Sequence, residues 1–361
     1  MQEADHGGSG QRLAGASLVV AVVIAVGVAV GGCTVESGTI VDLSSEEPQE
    51  NEPMPSEPIS SDPAQRASTS PFLRVLGTAQ DGGLPHAACE GPRCRRARED
   101  PSFRRLIASL ALVIPETGAA YLFDATPDIR EQLDALSDVR RPPQDRVDRA
   151  PVDGVFLTHA HVGHYLGLAF FGFEAVHTEG LPVYVTPRMA EFLTTNGPWS
   201  QLVEIGNIAL EELASGARVE LAGGVAVEAL AVPHRDEYAD TLAFVIHGPR
   251  RSVLYVPDTD SWIAWPPDEL TTTMERVDVA IVDATFYSAD EMPGRAVESI
   301  GHPLMTDSME RFGERVRGGD LEVYFTHLNH SNPAVDPASG ARQATDEAGF
   351  AVLSDGQEIE L

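Results

Sequence analysis

Beyond residue 70 the chain alternates between short apolar runs of β character and stretches with helical spacing. FLRVLG (72–77), SLALVI (109–114), AYLFD (120–124), GVFLT (154–158) and PVYV (182–185) predict strands. So do VAVEALAV (225–232), TLAFVIHG (241–248), SVLYV (252–256), VDVAIVD (277–283) and LEVYFT (321–326). TPDIREQLDAL, TPRMAEFLTTN and HPLMTDSMERF read as helices, with Pro127, Pro187 and Pro303 at a first helical position. Mixed strands and helices over 71–361 predict one layered α/β domain. No short-period internal repeat is visible.

The first seventy residues follow a different pattern. The apolar run SLVVAVVIAVGVAV (17–30) is shorter than the about 20 residues of a membrane span and suits the core of a secretion signal. It leads into VGGC, where small residues before Cys33 resemble a bacterial lipobox, in which the cysteine is lipidated and becomes the mature N-terminus. The n-region departs from that pattern: Arg12 is its one firm cation, with Glu3 and Asp5 nearby. Residues 34–70, including SSEEPQENEPMPSEPISSDP, are rich in Ser, Glu and Pro and too polar to bury a core, so they read as a flexible acidic tether. The expected organisation is a signal peptide over 1–33 with a lipidated Cys33, a tether over 34–70 and a folded domain over 71–361. The protein is then exported and anchored to a bacterial membrane on its periplasmic or cell-surface side.

Charge narrows the range of partners. The formal net charge is −30, and all 25 basic residues are arginine. Nucleic-acid binding is excluded as an expectation, because phosphate contacts need clustered cations. A small-molecule substrate is expected instead. The cysteines are Cys33, Cys89 and Cys94, too few for a disulfide scaffold.

Chemistry collects where the β-like runs end. His159 and His161 follow GVFLT, His234 follows ALAVP, Asp258 follows LYVP, Asp283 closes VAIVD, and His327 and His330 follow VYFT. In layered α/β folds, loops from separate strands converge at such ends and bind ligands. Zinc or iron takes neutral imidazoles and carboxylates in a compact shell. His159 and His161 can point the same way from an extended segment, and His164 can join them from the first turn of the next helix. His159, His161 and His234 would leave one coordination position for water, giving hydroxide at neutral pH. Asp258 is placed to bridge to a second ion held with His164 and His327.

THAHVGH (158–164), the later His234, PDT (257–259) and FTHLNH (325–330) together resemble the ordered motifs of the metallo-β-lactamase fold superfamily, over nearly all of 72–361. The resemblance implies an αββα sandwich with metals at one edge of its two sheets. It carries the His-x-His-x-Asp-His motif onto His159, His161, Gly163 and His164, the third motif onto His234, the bridging aspartate onto Asp258 and the last histidine onto His327. One or two zinc ions are implied, with iron or manganese as alternatives. The carboxylate of the motif is replaced by Gly163, which predicts a weaker or empty second site. Asp236 in PHRDEY is a candidate to supply the missing acid.

Two subfamilies are closer. LGTAQDGGLP (76–85), ATPDIREQL (125–133) and HLNHSNPAVD (327–336) are similar to PQQ-biosynthesis protein B. LGTAQDGGLP and the following CEGPRCRRARED resemble the cyclic phosphodiesterase of the carbon–phosphorus lyase pathway, in which three cysteines and a histidine hold a structural zinc. Carried over, that zinc implicates Cys89, Cys94 and His330, with Gly91 at the middle cysteine and His86 as a replacement ligand. The alternative for the cysteines is a disulfide. The same relative implies a catalytic histidine before a late helix, which is matched by His302 in SIGHPLM. Asp258 is expected to share in catalysis.

Three functions remain open at this level. The first is a metal-dependent hydrolase whose metal-bound hydroxide attacks a phosphodiester or other ester-type small molecule. The second is a PQQ-biosynthesis protein B-like, iron-dependent oxygenase. The third is a non-catalytic, lipid-anchored metal-binding module, for which Gly163 is the support. Trp199 in TNGPWSQL, and Trp262 and Trp265 in DTDSWIAW, are candidates to border the substrate cavity. Asp283 is either a ligand-supporting acid or a cap, and His177 and His247 read as ordinary surface residues.

Overall fold

The computed structural model describes residues 70–140, 150–294 and 300–361. Cys33, the segment 1–33 and the tether up to residue 69 lie outside the described residues. The strands are β1 (Phe72–Gly77), β2 (Ser109–Ile114), β3 (Ala119–Phe123), β4 (Gly154–Phe156), β5 (Leu181–Val185), β6 (Ile208–Glu212) and β7 (Arg218–Glu220), followed by β8 (Ala226–Val232), β9 (Thr241–His247), β10 (Ser252–Val256), β11 (Val279–Asp283), β12 (Glu322–Thr326), β13 (Ala351–Val352) and β14 (Glu358–Glu360). They form two seven-stranded sheets, ordered β14-β1-β2-β3-β4-β5-β6 and β13-β12-β11-β10-β9-β8-β7.

Connection length sets strand direction. Where the link is short, as between β8 and β9 or β2 and β3, the pair is antiparallel. Where a helix intervenes, the pair is parallel, as for β3-β4, β5-β6, β10-β11 and β11-β12. The helices are α1 (Pro92–Glu99), α2 (Ile129–Asp134), α3 (Val162–Tyr165), α4 (Pro187–Thr195), α5 (Trp199–Glu204), α6 (Pro267–Glu275), α7 (Met305–Gly318) and α8 (Gly340–Glu347). Pro187 opens α4 as expected, with the Thr186 hydroxyl accepting from the Met189 amide. Pro127 and Pro303 sit two residues before α2 and α7, not in their first turns. The chain there turns through Asp128 and Leu304 first, and those two residues are the N-caps.

Three buried clusters separate four layers. Between the sheets lie Leu73, Val75, Phe123, Phe156, Phe244, Tyr255 and Ile281. Phe123 stacks on Phe156 at 5.2 Å between centroids, and Phe156 stacks on Tyr184 at 4.4 Å. Outside the first sheet, Leu76, Leu122 and Val183 pack under Met189, Leu193 and Leu202 of α4 and α5. Outside the second, Val245, Leu254 and Phe325 pack under Leu270, Met274 and Phe312 of α6 and α7. Covering both faces explains why SLALVI is buried at every position and shows no alternation. The expected αββα sandwich is therefore present.

The loops after β1, β3, β4, β8, β10, β11 and β12 contribute the histidines and aspartates that gather at one edge of the sandwich. Among the described residues no helix is long and apolar enough to cross a membrane.

Candidate metal centre

β4 ends at Phe156, and His159 and His161 follow in the short loop before α3. His161, at φ −93° and ψ 148°, is the N-cap of α3, and His164 lies within that short helix. His234 arrives from the end of β8. Nε2 of His159 is 2.7 Å from Nδ1 of His161, and Nε2 of His234 is 3.3 Å from the same atom. Ligand atoms of these three side chains all lie within 4.8 Å of one another. Residues more than seventy positions apart in the chain thus meet as the spacing predicted.

A second group abuts the first. Asp258 Oδ2 lies 2.9 Å from His164 Nε2, 3.1 Å from His327 Nε2 and 3.7 Å from His159 Nε2. Its other oxygen, Oδ1, is 3.6 Å from His234 Nε2. Asp258 therefore stands between the two groups, nearer the second. The fourth member was not singled out from the sequence. Asp81, in the loop after β1, places Oδ1 3.4 Å from His164 Nε2 and 3.7 Å from His327 Nε2. A Cβ built on Gly163 would sit 2.1 Å from that oxygen. The side of the site expected to lack an acid has one, supplied by another loop. Asp236 does not compensate: it is exposed and paired with Arg188 at 3.3 Å.

The arrangement fits a cation on two counts. Asp81 Oδ1, Asp258 Oδ1, His164 Nε2 and His327 Nε2 are buried and have no hydrogen-bond partner, although they converge. Such atoms are costly to bury unless something binds them. Charge agrees. Burial, reinforced by His164, holds His159 well below the ordinary histidine range, and burial likewise lowers His161 and His234. Neutral imidazoles are the form that ligates metal. In the second group burial opposes charge, yet Asp124, Asp258 and Asp81 hold a proton on His164. Burial would raise Asp81 and Asp258, but the adjacent His164 and His327 carry both below the ordinary carboxylate range. This pocket favours a positive charge, and a divalent cation supplies one.

Two buried Asp–Thr pairs orient the imidazoles. Asp124 Oδ2 lies 2.7 Å from His164 Nδ1, and its Oδ1 accepts from the Thr158 amide at 2.8 Å and hydroxyl at 2.9 Å. The Thr158 hydroxyl in turn meets His159 Nδ1 at 2.9 Å. Across the site, Asp283 Oδ1 accepts from the Thr285 amide and hydroxyl at 2.9 and 2.8 Å, and that hydroxyl meets His327 Nδ1 at 3.0 Å. Asp283 Oδ2 lies 2.8 Å from His302 Nδ1. Such outer partners fix which ring nitrogen faces a metal. Burial works against charge on His302, but Asp283 and Asp258 raise it to about 9. His302 stands at the rim, 13 % exposed, with Nδ1 also 3.3 Å from Asp258 Oδ1.

Elsewhere, Cys89, Cys94 and His330 bring their ligand atoms within 4.8 Å of one another, and both cysteines are free thiols. His86 lies beside this group, its ring centroid 4.3 Å from that of His330, while its Nδ1 contacts the Ala87 carbonyl at 2.9 Å. The tryptophans are buried, and although Trp265 and Trp262 each line an outer cavity, neither cavity includes a residue of the His–Asp cluster. Trp199 packs on Tyr165 at 4.7 Å, Trp262 donates to the Ser308 hydroxyl, and Trp265 donates to the Thr259 hydroxyl. His177 is exposed, whereas His247 is half-buried and bound to Glu228 at 3.0 Å, so it is not an ordinary surface residue.

Comparison with known proteins places this geometry. The beta-lactamase superfamily domain matches residues 120–316. Coenzyme PQQ synthesis protein B of Bradyrhizobium diazoefficiens is 30% identical over 322 residues, covering 80% of this chain and 98% of that protein. The protein of the same name from Methylobacterium radiotolerans is 27% identical over 308 residues, covering 80% and 99%. Among solved structures, zinc-bound PqqB from Methylobacterium extorquens superposes with a TM-score of 0.68 at 23% identity, covering 80% of this chain and all of that one. A diphosphatase of the PhnP family superposes with a TM-score of 0.56 at 22% identity, covering 81% and 97%. The fold, the ordered motifs and these matches agree: the chain belongs to the metallo-β-lactamase superfamily, on the branch that includes coenzyme PQQ synthesis protein B.

Proposed function

We propose that this protein is a metal-dependent hydrolase of a small phosphodiester or other ester-type molecule. The observation that carries the reading is the convergence of unpartnered buried donors beside three neutral imidazoles. His159, His161 and His234 would hold one ion, and His164, Asp258 and His327 would border a second, with zinc the proposed metal. A bound ion supplies Lewis acidity and lowers the pKa of water toward neutrality. The chain's own residues do the rest. Asp124 and Thr158 fix the rings of His164 and His159, and Asp283 and Thr285 fix those of His302 and His327. Because Asp283 engages Nδ1 of His302, Nε2 is the ring nitrogen that can hand a proton to a leaving oxygen. A cavity of about 280 Å³ lined by Arg188, Phe192, Glu237 and Tyr238 lies against the site, with Glu237 3.3 Å from His161 Nε2.

A second reading is a PQQ synthesis protein B-like oxygenase that holds iron in the three-histidine group. Relatives of that name, matched over nearly their whole length, support it. Asp81 beside Gly163 supplies the acid whose absence motivated the non-catalytic reading. Export and a lipid anchor at Cys33 complete the proposal; Cys33→Ser should move the protein from the membrane fraction to the soluble one.

The test is turnover of the purified protein on phosphodiester, thioester and lactam panels with zinc, manganese or iron(II). We expect metal-dependent hydrolysis, and a fall of about 10²–10⁴-fold in kcat for His302→Ala with metal content unchanged. No turnover on any panel, with oxygen uptake after anaerobic iron loading, would overturn hydrolysis in favour of the second reading.

A further inference from the structure

We infer that Asp81 is itself a metal ligand, supplied from the loop after β1 in place of a carboxylate at position 163. The inference rests on the metal-dependent reading above. Three observations carry it. Asp81 Oδ1 is buried without a hydrogen-bond partner and faces His164 and His327, whose Nε2 atoms are unpartnered too. These three residues bring one ligand atom each within 4.8 Å of one another. Residues 81 and 163 also exclude each other: a Cβ at 163 would stand 2.1 Å from the Asp81 carboxylate and 2.9 Å from its Cα. Gly163 is therefore the room Asp81 occupies. One of the two positions carries the acid, and the other must be bare.

The donor loop is held as firmly as a ligand requires. The Gln80 amide donates to the Leu328 carbonyl and the Leu328 amide to the Thr78 carbonyl, both at 2.9 Å. The Asn329 side chain donates to Gln80 Oε1 at 2.7 Å. Asp81 and His327 thus ride on one strap of paired backbone, and their spacing is set by its hydrogen bonds and does not depend on a long flexible side chain.

Zinc content and competition against a chromophoric chelator, on the purified full chain, test the assignment. Asp81→Ala and Asp81→Asn should each weaken one zinc more than about 100-fold, beyond what losing an outer partner costs. The ion that His161→Ala removes should be kept. The double variant Asp81→Gly/Gly163→Asp should regain the lost zinc, whereas Gly163→Asp alone should not, because the two acids collide. Circular dichroism of Asp81→Asn, which keeps the side-chain size, separates ligand loss from misfolding. Wild-type zinc number and affinity in Asp81→Asn would overturn the inference while leaving the hydrolase reading intact. A wild-type chain that holds both ions and hydrolyses nothing would overturn only the hydrolase reading, and one that takes up no zinc would overturn both.

Discussion

The His–Asp cluster at the sandwich edge and the Cys89–Cys94–His330 group gather metal-type donors in different ways. In the first, three imidazoles have the far nitrogen against an oxygen: Asp124, Thr158 and Thr285 serve His164, His159 and His327 at 2.7–3.0 Å. Glu237 lies 3.3 Å from His161 Nε2, whereas Asp260 stands 3.5 Å from His234 Nδ1, which is buried without a hydrogen-bond partner. In the second, His330 Nδ1 is buried without a partner, and Cys89 only accepts from the Gly91 amide at 3.3 Å. The Cys94 thiol is pushed up by burial and by Cys89 beside it, so it gives up its proton only to a strong competitor. The first cluster has rings already oriented, with His159, His161 and His234 neutral, which suits chemistry that needs fixed geometry. The second sits between α1 and the loop after β12, where an ion held by all three would act as a staple.

The largest effect that separates the two clusters should come from His161→Ala. It removes one donor from the three-histidine group while leaving both Asp–Thr supports and the distant thiols in place. Turnover should fall more than about 10³-fold, beyond the loss of a single hydrogen-bond donor to a transition state. Any metal at the thiols should stay near wild type. Paired kinetics and metal analysis check this, and retained turnover would show that the two clusters do not divide the labour between chemistry and stapling.

Cys89→Ser should give the opposite profile. Cys89 is half-buried, so the substitution itself disturbs little packing. If the thiols hold zinc, the variant loses one ion and the melting temperature drops by about 2–4 °C for each kcal/mol of binding lost. Turnover should change only a few-fold. Unchanged metal content and melting temperature would leave this group as ordinary thiols.

How much of the molecule is legible in its sequence follows the same division between inside and edge. The strands covered on both faces announce themselves as apolar runs. The strands that went unseen, β6, β7, β13 and β14, are the outer edges of the two sheets. IALEE, RVE and EIE are short and carry charged residues, which protects an edge from further pairing and leaves too few apolar positions to mark a strand. In the site, histidines after apolar runs are legible because few other reasons place so many there. Asp81 is not, since an aspartate before two glycines reads as a turn. Its signal lies elsewhere, in the bare Gly163 of an otherwise intact motif. Asp124 was also missed, although AYLFD ends in an acid just as VAIVD does, and the two acids orient rings on opposite sides of the same site.

An ion pair belonging to neither cluster sets the scale for purely structural effects. Glu228 on β8 contacts His247 Nε2 at 3.0 Å and Arg276 Nη1 at 2.8 Å. Burial would raise its carboxyl, but hydrogen bonds from His247 and Arg276 leave it below the ordinary range. A depressed carboxyl stabilises the fold above its unfolded pKa, near 4.3, and that stabilisation is lost as pH falls through the folded value. Glu228→Gln should therefore cost up to about 1 kcal/mol at neutral pH, with turnover untouched. The gap between variant and wild type should close as the solution is acidified below about pH 4. Denaturant unfolding at a series of pH values measures that gap. A gap that persisted under acid would mean that Glu228 stabilises through packing against its neighbours, and that charge pairing outside the two clusters contributes little to holding this fold.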